Sequence, residues 1–289
     1  GGGFHFRGAS SRGKTTLLGV AASVWGAPKY VQSWRATDNA LETVASCCSG
    51  ALLALDELHQ VSPQVAGETI YMLANGRGKQ RMGRAGKAES AESWHVALLS
   101  SGEISLEDHM ASGGKRIQAG QDIRLIDIAA DGQTFGAFDH LHGETEARHF
   151  VERLQRAAAN HHGHPGRLFV ERFRSKIDRS DAYTSFVNEF LRLAVKIHDL
   201  DRDSQVQRSL KRFALAALAG EMATIFGLTG WKKGTALNGI LAVAGAWIED
   251  KGAIRKRDID AALDRTRAHL TAHLESFAAL GPIESVSGW

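Results

Sequence analysis

Three groups of residues have the types and spacing to do chemistry. The first is Gly8-Ala9-Ser10-Ser11-Arg12-Gly13-Lys14-Thr15, with Thr16 next in line. It fits G-x-x-x-x-G-K-[ST], in which the backbone N–H groups of a glycine loop converge on a polyphosphate. Lys14 would reach the β- and γ-phosphates of ATP, and the Thr15 hydroxyl would complete a Mg²⁺ shell. The second group is Asp56-Glu57, which ends the apolar run Ala51-Leu52-Leu53-Ala54-Leu55. Asp56 is expected to hold the Mg²⁺ through water, and Glu57 to polarise an attacking water as general base. The third lies between Asn75 and Lys87, where five cations (Arg77, Lys79, Arg81, Arg84 and Lys87) and four glycines occur without an acid. A projection of this kind has the charge and reach to contact a nucleic-acid phosphate backbone, which needs no base reading.

The elements that must position these groups alternate between strand and helix patterns. Phe4-His5-Phe6 reads as a strand entering the glycine loop. Leu17, Val20, Ala21 and Val24 mark one face of a helix over 16–25 that stops at Gly26 before Pro28. A second strand is expected over 30–37, then a helix to Cys48 opened by Asn39 and Glu42 as a capping box. The uninterrupted apolar run before Asp56 suits the middle of a parallel sheet covered on both faces, and acids at its carboxyl end lie where α/β folds place ligands. A helix over 63–74, a glycine-punctuated loop or hairpin, and an apolar strand over 94–99 follow. That strand closes on Ser100-Ser101-Gly102-Glu103, where a small polar residue could touch a γ-phosphate or the attacking water. A fifth strand over 123–128 is preceded by Lys115-Arg116 and carries Arg124.

Five strands with interleaved helices predict a P-loop α/β domain over residues 1–150, with a mostly parallel sheet. Residues 151–289 read as an all-α bundle: Phe186, Phe190, Leu191, Ala194 and Val195 form one apolar stripe, and Leu210, Phe213, Ala214, Ala217 and Leu218 form another. Such stripes are core rather than cofactor pocket. Between the halves, His140, His142, His149, His161, His162 and His164 cluster in sequence without H-E-x-x-H or a cysteine pair, so they read as surface histidines, not a zinc site.

Composition excludes several classes. No apolar run approaches the ~18 residues that cross a bilayer, and no signal peptide is visible. Cys47 and Cys48 are adjacent on a predicted helix and cannot make a disulfide framework, so a reducing, cytoplasmic setting is expected. The net charge of +3 is too small to imply nucleic acid by itself. The chain opens at Gly1, one short strand before the loop, and reads as a piece of a longer polypeptide with an N-terminal region missing.

The chain resembles the family catalogued as domain of unknown function 927, found in replication-type proteins of bacteria, phages and mobile elements. The resemblance rests on Gly2-Gly3-Phe4-His5-Phe6-Arg7-Gly8, Trp34-Arg35-Ala36-Thr37-Asp38-Asn39, Leu55-Asp56-Glu57 and Tyr71-Met72-Leu73-Ala74-Asn75-Gly76. It extends to Leu99-Ser100-Ser101-Gly102-Glu103, Arg212-Phe213-Ala214, Ala219-Gly220-Glu221 and Gly227-Leu228-Thr229-Gly230-Trp231. The family is similar to the AAA+ ATPases near the minichromosome-maintenance-type helicases. That implies a ring homo-oligomer, hexameric in the related helicases, with ATP at subunit interfaces and single-stranded or forked DNA in the pore. The basic stretch before the fourth strand then resembles a pore hairpin. Ser101 resembles a sensor at that strand's end, Arg124 an arginine acting on the neighbour's γ-phosphate, and Arg212 a second sensor arginine beside the nucleotide. Arg116 competes with Arg124 for the role in trans.

The expected activity is ATP hydrolysis driving a helicase or translocase. A non-motor AAA+ switch, a loader or remodeller binding DNA or a protein, is the first rival, and the basic hairpin argues against it. A small-molecule kinase is the second. It would leave Asp56-Glu57 and the hairpin without a purpose.

Overall fold

The computed structural model describes residues 1–272 apart from 80, 83–87, 90, 177–179 and 199–203. In chain order the first elements are β1 (Gly2–Arg7), α1 (Lys14–Ser23), β2 (Gln32–Ser33), α2 (Asp38–Cys47), β3 (Leu52–Asp56) and α3 (Pro63–Asn75). Then come β4 (Arg81–Met82), β5 (Ala88–Glu89), β6 (Ala97–Gly102), α4 (Leu106–Ser112), α5 (Ala119–Asp122) and β7 (Leu125–Ala129). Five helices follow: α6 (Ala147–Asn160), α7 (His164–Lys176), α8 (Ser180–His198), α9 (Ser204–Ile225) and α10 (Thr235–Ala272).

Five strands form one parallel sheet in the order β2-β3-β6-β1-β7. Side chains alternate across a strand, and both faces of β3 are covered. Leu53 and Leu55 enter one core with Trp34, Ile70, Leu73 and Trp94, while Ala54 enters the other with Leu18, Ala22 and Leu99. Truncating a side chain such as Leu53 in this core costs about 2–5 kcal/mol.

Local departures from the expected elements have physical causes. The helix after the loop starts at Lys14, inside the motif, because Gly13 (φ 94°) turns the chain and its carbonyl accepts from Leu17 N at 3.0 Å. The strand expected over 30–37 shrinks to Gln32–Ser33. Pro28 opens a 3₁₀ turn, the Tyr30 hydroxyl is tied to Leu52 O at 2.6 Å, and the Trp34 side chain turns into the core. The α2 cap is Thr37, which accepts from Ala40 N at 3.3 Å; Asn39 lies inside the helix, and Glu42 is buried and accepts from Lys79 N at 3.1 Å. The strand expected from Trp94 begins at Ala97. Trp94 N bonds instead to Gly76 O, and its indole, buried under α3, donates to Leu73 O at 2.9 Å.

The chain divides into two compact units, Gly1–Ala244 and the remainder from Gly245. The expected division at residue 150 falls inside the first. Within that unit α6 packs on α1, α8 packs on α9, and Phe213 of α9 lies against Phe4 of β1 with ring centroids 5.0 Å apart.

Candidate functional site

The site forms at the carboxyl edge of the sheet, where strand ends leave backbone groups open. β1 delivers the loop Gly8–Thr15, and α1 starts within it. Lys14 is buried, with its Nζ donating to Ala9 O at 2.6 Å. β6 lies between β1 and β3, so the acids of β3 face the loop across one intervening strand. That strand ends in Ser100-Ser101, and Ser101 fills the gap: its Oγ donates to Asp56 Oδ1. Thr15 Oγ1 lies 3.4 Å from the same carboxylate oxygen, and Glu57 N lies 3.4 Å from Ser101 Oγ. Thus Thr15, Asp56, Glu57 and Ser101, drawn from three places in the sequence, meet in one cluster.

Glu57 is exposed and held at φ 63°, ψ 70°, in the left-handed region. A non-glycine residue there costs about 1–3 kcal/mol and persists where its surroundings fix it. Gln60, one 3₁₀ turn on, donates to Glu57 Oε2 and restrains the carboxylate. The donor set suits Mg²⁺: hard oxygens from one hydroxyl and one carboxylate, the remainder to come from phosphate and water. Among the described residues no cluster of three histidine, cysteine or acidic side chains could enclose a metal by itself.

Sequence reasoning missed Asp131. It stands just past the end of β7, and its Oδ2 accepts from Ala9 N at 2.7 Å, pinning the start of the loop. The signal was available, since Asp131 follows an apolar strand as Asp56 does. A second missed feature is His5, wholly buried at the middle of β1. Its Nδ1 pairs with Ser100 Oγ at 2.9 Å, its Nε2 lies 3.1 Å from Ile104 O, and Trp34 Nε1 donates to the same Ser100 Oγ at 2.9 Å. Burial, foremost, pushes the His5 pKa down to about 4.

Behind the loop lies a cleft of about 380 Å³, lined by Ser11–Thr16 of the loop and by Phe135, Phe138 and Val151. Neither Asp56 nor Glu57 reaches it.

The arginines lie elsewhere. The Arg124 guanidinium donates to Gly120 O at 2.7 Å and Asn75 Oδ1 at 3.1 Å and stacks over Tyr71 at 4.2 Å. Arg212 Nη2 donates to Gly1 O at 3.2 Å. Both flank the amino end of β1. With six residues of strand between Gly2 and Gly8, that end is roughly 20 Å from the loop. Neither arginine is brought to the phosphate loop of its own chain.

The basic stretch is a hairpin, with Arg81 opposite Glu89 and Met82 opposite Ala88. Its base is clamped to α2: Lys79 Nζ pairs with Asp38 at 2.6 Å, and Lys79 N with Glu42. The stretch itself holds no acid, but at Lys79 acids arrive from a helix distant in sequence. Arg77 bridges Ser93 at the hairpin's foot, and Arg84 and Lys87 lie outside the described residues.

The family model Domain of unknown function (DUF927) matches residues 1–93, about a third of the chain. That match holds the loop, the acids and the hairpin, whereas the stretches of resemblance around Ser101 and Arg212 lie beyond it. A solved structure described as "SCCmec type IV Cch - active helicase" matches with a TM-score of 0.66 and 21% identity over 94% of this chain. The chain shares the fold of the part of that structure it matches. It spans 46% of the length of the helicase chain. No curated protein matches. None of the described helices is long and apolar enough to cross a membrane.

Proposed function

We propose that this chain is the ATP-hydrolysing motor module of a DNA helicase or translocase, built on an AAA+ core like that of the minichromosome-maintenance-type helicases and working as a ring. The observation that carries the reading is the meeting of Thr15, Ser101 and Asp56 beside a glycine loop that contains a buried lysine. The chain's residues divide the work. The loop amides and Lys14 hold the triphosphate, Thr15 and Asp56 hold Mg²⁺, and Glu57 takes the proton of the attacking water. Ser101, bonded to Asp56 and next to Glu57 N, orients both acids. Bound Mg²⁺ would neutralise charge developing on the phosphates. Arg124 is assigned to the neighbouring subunit's nucleotide, because it is too far from its own. The hairpin carrying Arg77, Lys79, Arg81, Arg84 and Lys87 is assigned to the DNA backbone, with Lys79 anchoring it rather than gripping the strand.

The test is phosphate release by wild type and Glu57→Gln, each with and without single-stranded DNA. Wild type should hydrolyse ATP faster with DNA, and Glu57→Gln should lose about 10²–10⁴ in rate while still binding ATP. Turnover near wild type in the variant would remove the base assignment. Hydrolysis indifferent to DNA would favour a non-motor switch.

A further inference from the structure

The segment that leaves β7 runs alongside the glycine loop and touches it at both ends. Ala130 N donates to Arg7 O at 2.8 Å, continuing the pairing of β1 with β7. One residue on, Asp131 Oδ2 accepts from Ala9 N at 2.7 Å. Near the far end of the loop, Ala137 N donates to Arg12 O at 2.8 Å. Both approaches depend on glycine. A Cβ at Gly8 would stand 2.6 Å from Asp131 Cγ, and one at Gly136 would stand 2.6 Å from Arg12 O. The two segments are fitted backbone to backbone, and Asp131 brings a carboxylate into that fit.

A cradle for polyphosphate works by gathering open N–H groups and positive charge. Asp131 takes one of those N–H groups and adds a negative charge. The distance between that charge and the cradle is bounded by short links. Lys14 Nζ donates to Ala9 O at 2.6 Å, and the N and O of one residue lie at most about 3.6 Å apart. The carboxylate is therefore within roughly 9 Å of the ammonium assigned to the phosphates. The screening length at physiological salt is about 8 Å, so a bound phosphate feels this charge. The N–H groups left for phosphate lie farther along, where the first turn of α1 from Lys14 lacks intrahelical acceptors.

Holding Ala9 N requires no charge. The oxygen of an asparagine amide accepts from a backbone N–H as a carboxylate oxygen does. The bond and the charge of Asp131 are thus separable, and they act on the cradle in opposite directions.

We propose that Asp131 is a positioning residue with two opposed effects on phosphate affinity. Its bond to Ala9 keeps the loop in the shape that receives a polyphosphate. Its charge loosens the hold on that polyphosphate, so that the nucleoside diphosphate product is not retained. The proposal rests on the phosphate-loop reading and adds what limits the strength of that loop's grip.

The test is calorimetric titration of wild type, Asp131→Asn and Asp131→Ala with ADP and with inorganic pyrophosphate, both in the presence of Mg²⁺. Asp131→Asn keeps the acceptor and removes the charge, so it should bind both ligands about 2- to 10-fold more tightly than wild type. A residue that merely held the loop would give no gain. The gain should fade at about 1 M salt, where the screening length drops to about 3 Å. Asp131→Ala also lacks the charge but has lost the bond, so it should bind about 2- to 10-fold more weakly than Asp131→Asn. If Asp131→Asn binds no more tightly than wild type while wild type binds both ligands, the charge effect is overturned and the phosphate-loop reading stands. Equal affinities for Asp131→Asn and Asp131→Ala would overturn the positioning effect. Failure of wild type to bind either ligand would remove the phosphate-loop reading and this proposal with it.

Discussion

The two edges of one sheet differ in how complete they are. At the carboxyl edge Thr15, Asp56, Ser101 and Asp131, drawn from the loop and three strand ends, touch one another or the loop within a single chain. At the amino edge Arg124 and Arg212 lie beside Gly1–Gly3, far from the loop of their own chain. Burial and then the nearby Arg124 both lower the Arg212 pKa, so this edge concentrates like charge instead of cancelling it. At one edge the polar side chains meet within the chain. The other keeps its arginines roughly 20 Å, the length of strand β1, from that cluster.

The sharpest way to break this contrast is to separate the edges between subunits. Arg124→Ala and Glu57→Gln should each be inactive alone, with about 10³–10⁵ in rate at stake for an arginine supplied in trans. Mixed, they should regain activity at interfaces that pair an intact Glu57 with an intact Arg124. If mixing restores nothing while Arg116→Ala does complement Glu57→Gln, the exposed Arg116 holds the role.

His5, midway along β1 between the two edges, gives a smaller effect. Its pKa is lowered to about 4 from 6.5, so the unfolded chain binds the extra proton across that interval. Stability is then fully present above pH 6.5 and falls as the pH drops towards 4, by roughly 3 kcal/mol in all. Denaturant titrations across this range should show that acid limb, and His5→Gln should flatten it. An identical limb in the variant would assign the loss to other groups.

The smallest effect is expected at Arg212. At its distance from the loop, Arg212→Met should change ATP affinity by no more than about twofold, the range for independent sites. A large loss would mean that the amino edge reaches the nucleotide after all.

How much could be read from the sequence follows the same division. The loop, the acid-terminated β3 and the serine-terminated β6 were legible, because a strand's apolar run and the polar residue that ends it are local patterns. Asp131 obeyed the same rule and was passed over because no motif names it. The end of Arg212 beside Gly1 could not be read at all, since it depends on how α9 packs against β1 through Phe213 and Phe4. Element boundaries slipped where single side chains overrode pattern: Trp34 and Trp94 each turned a strand-like stretch into a core anchor. The hairpin's charge was legible, but its clamp was not, because Asp38 and Glu42 lie about forty residues earlier.

The intervening strand β6 has one further consequence. Neighbouring strands stand about 4.8 Å apart, so the loop on β1 and the acids on β3 are separated by two such steps, close to 10 Å, whatever side chains they carry. Backbone hydrogen bonds set that gauge. Substitutions at the strand tips can change what reaches into the gap, as Ser101 does, but they cannot widen or narrow it. The side chains that reach into the gap are thus open to gradual variation in this chain, while the span between the glycine loop and the acids of β3 is fixed by the sheet.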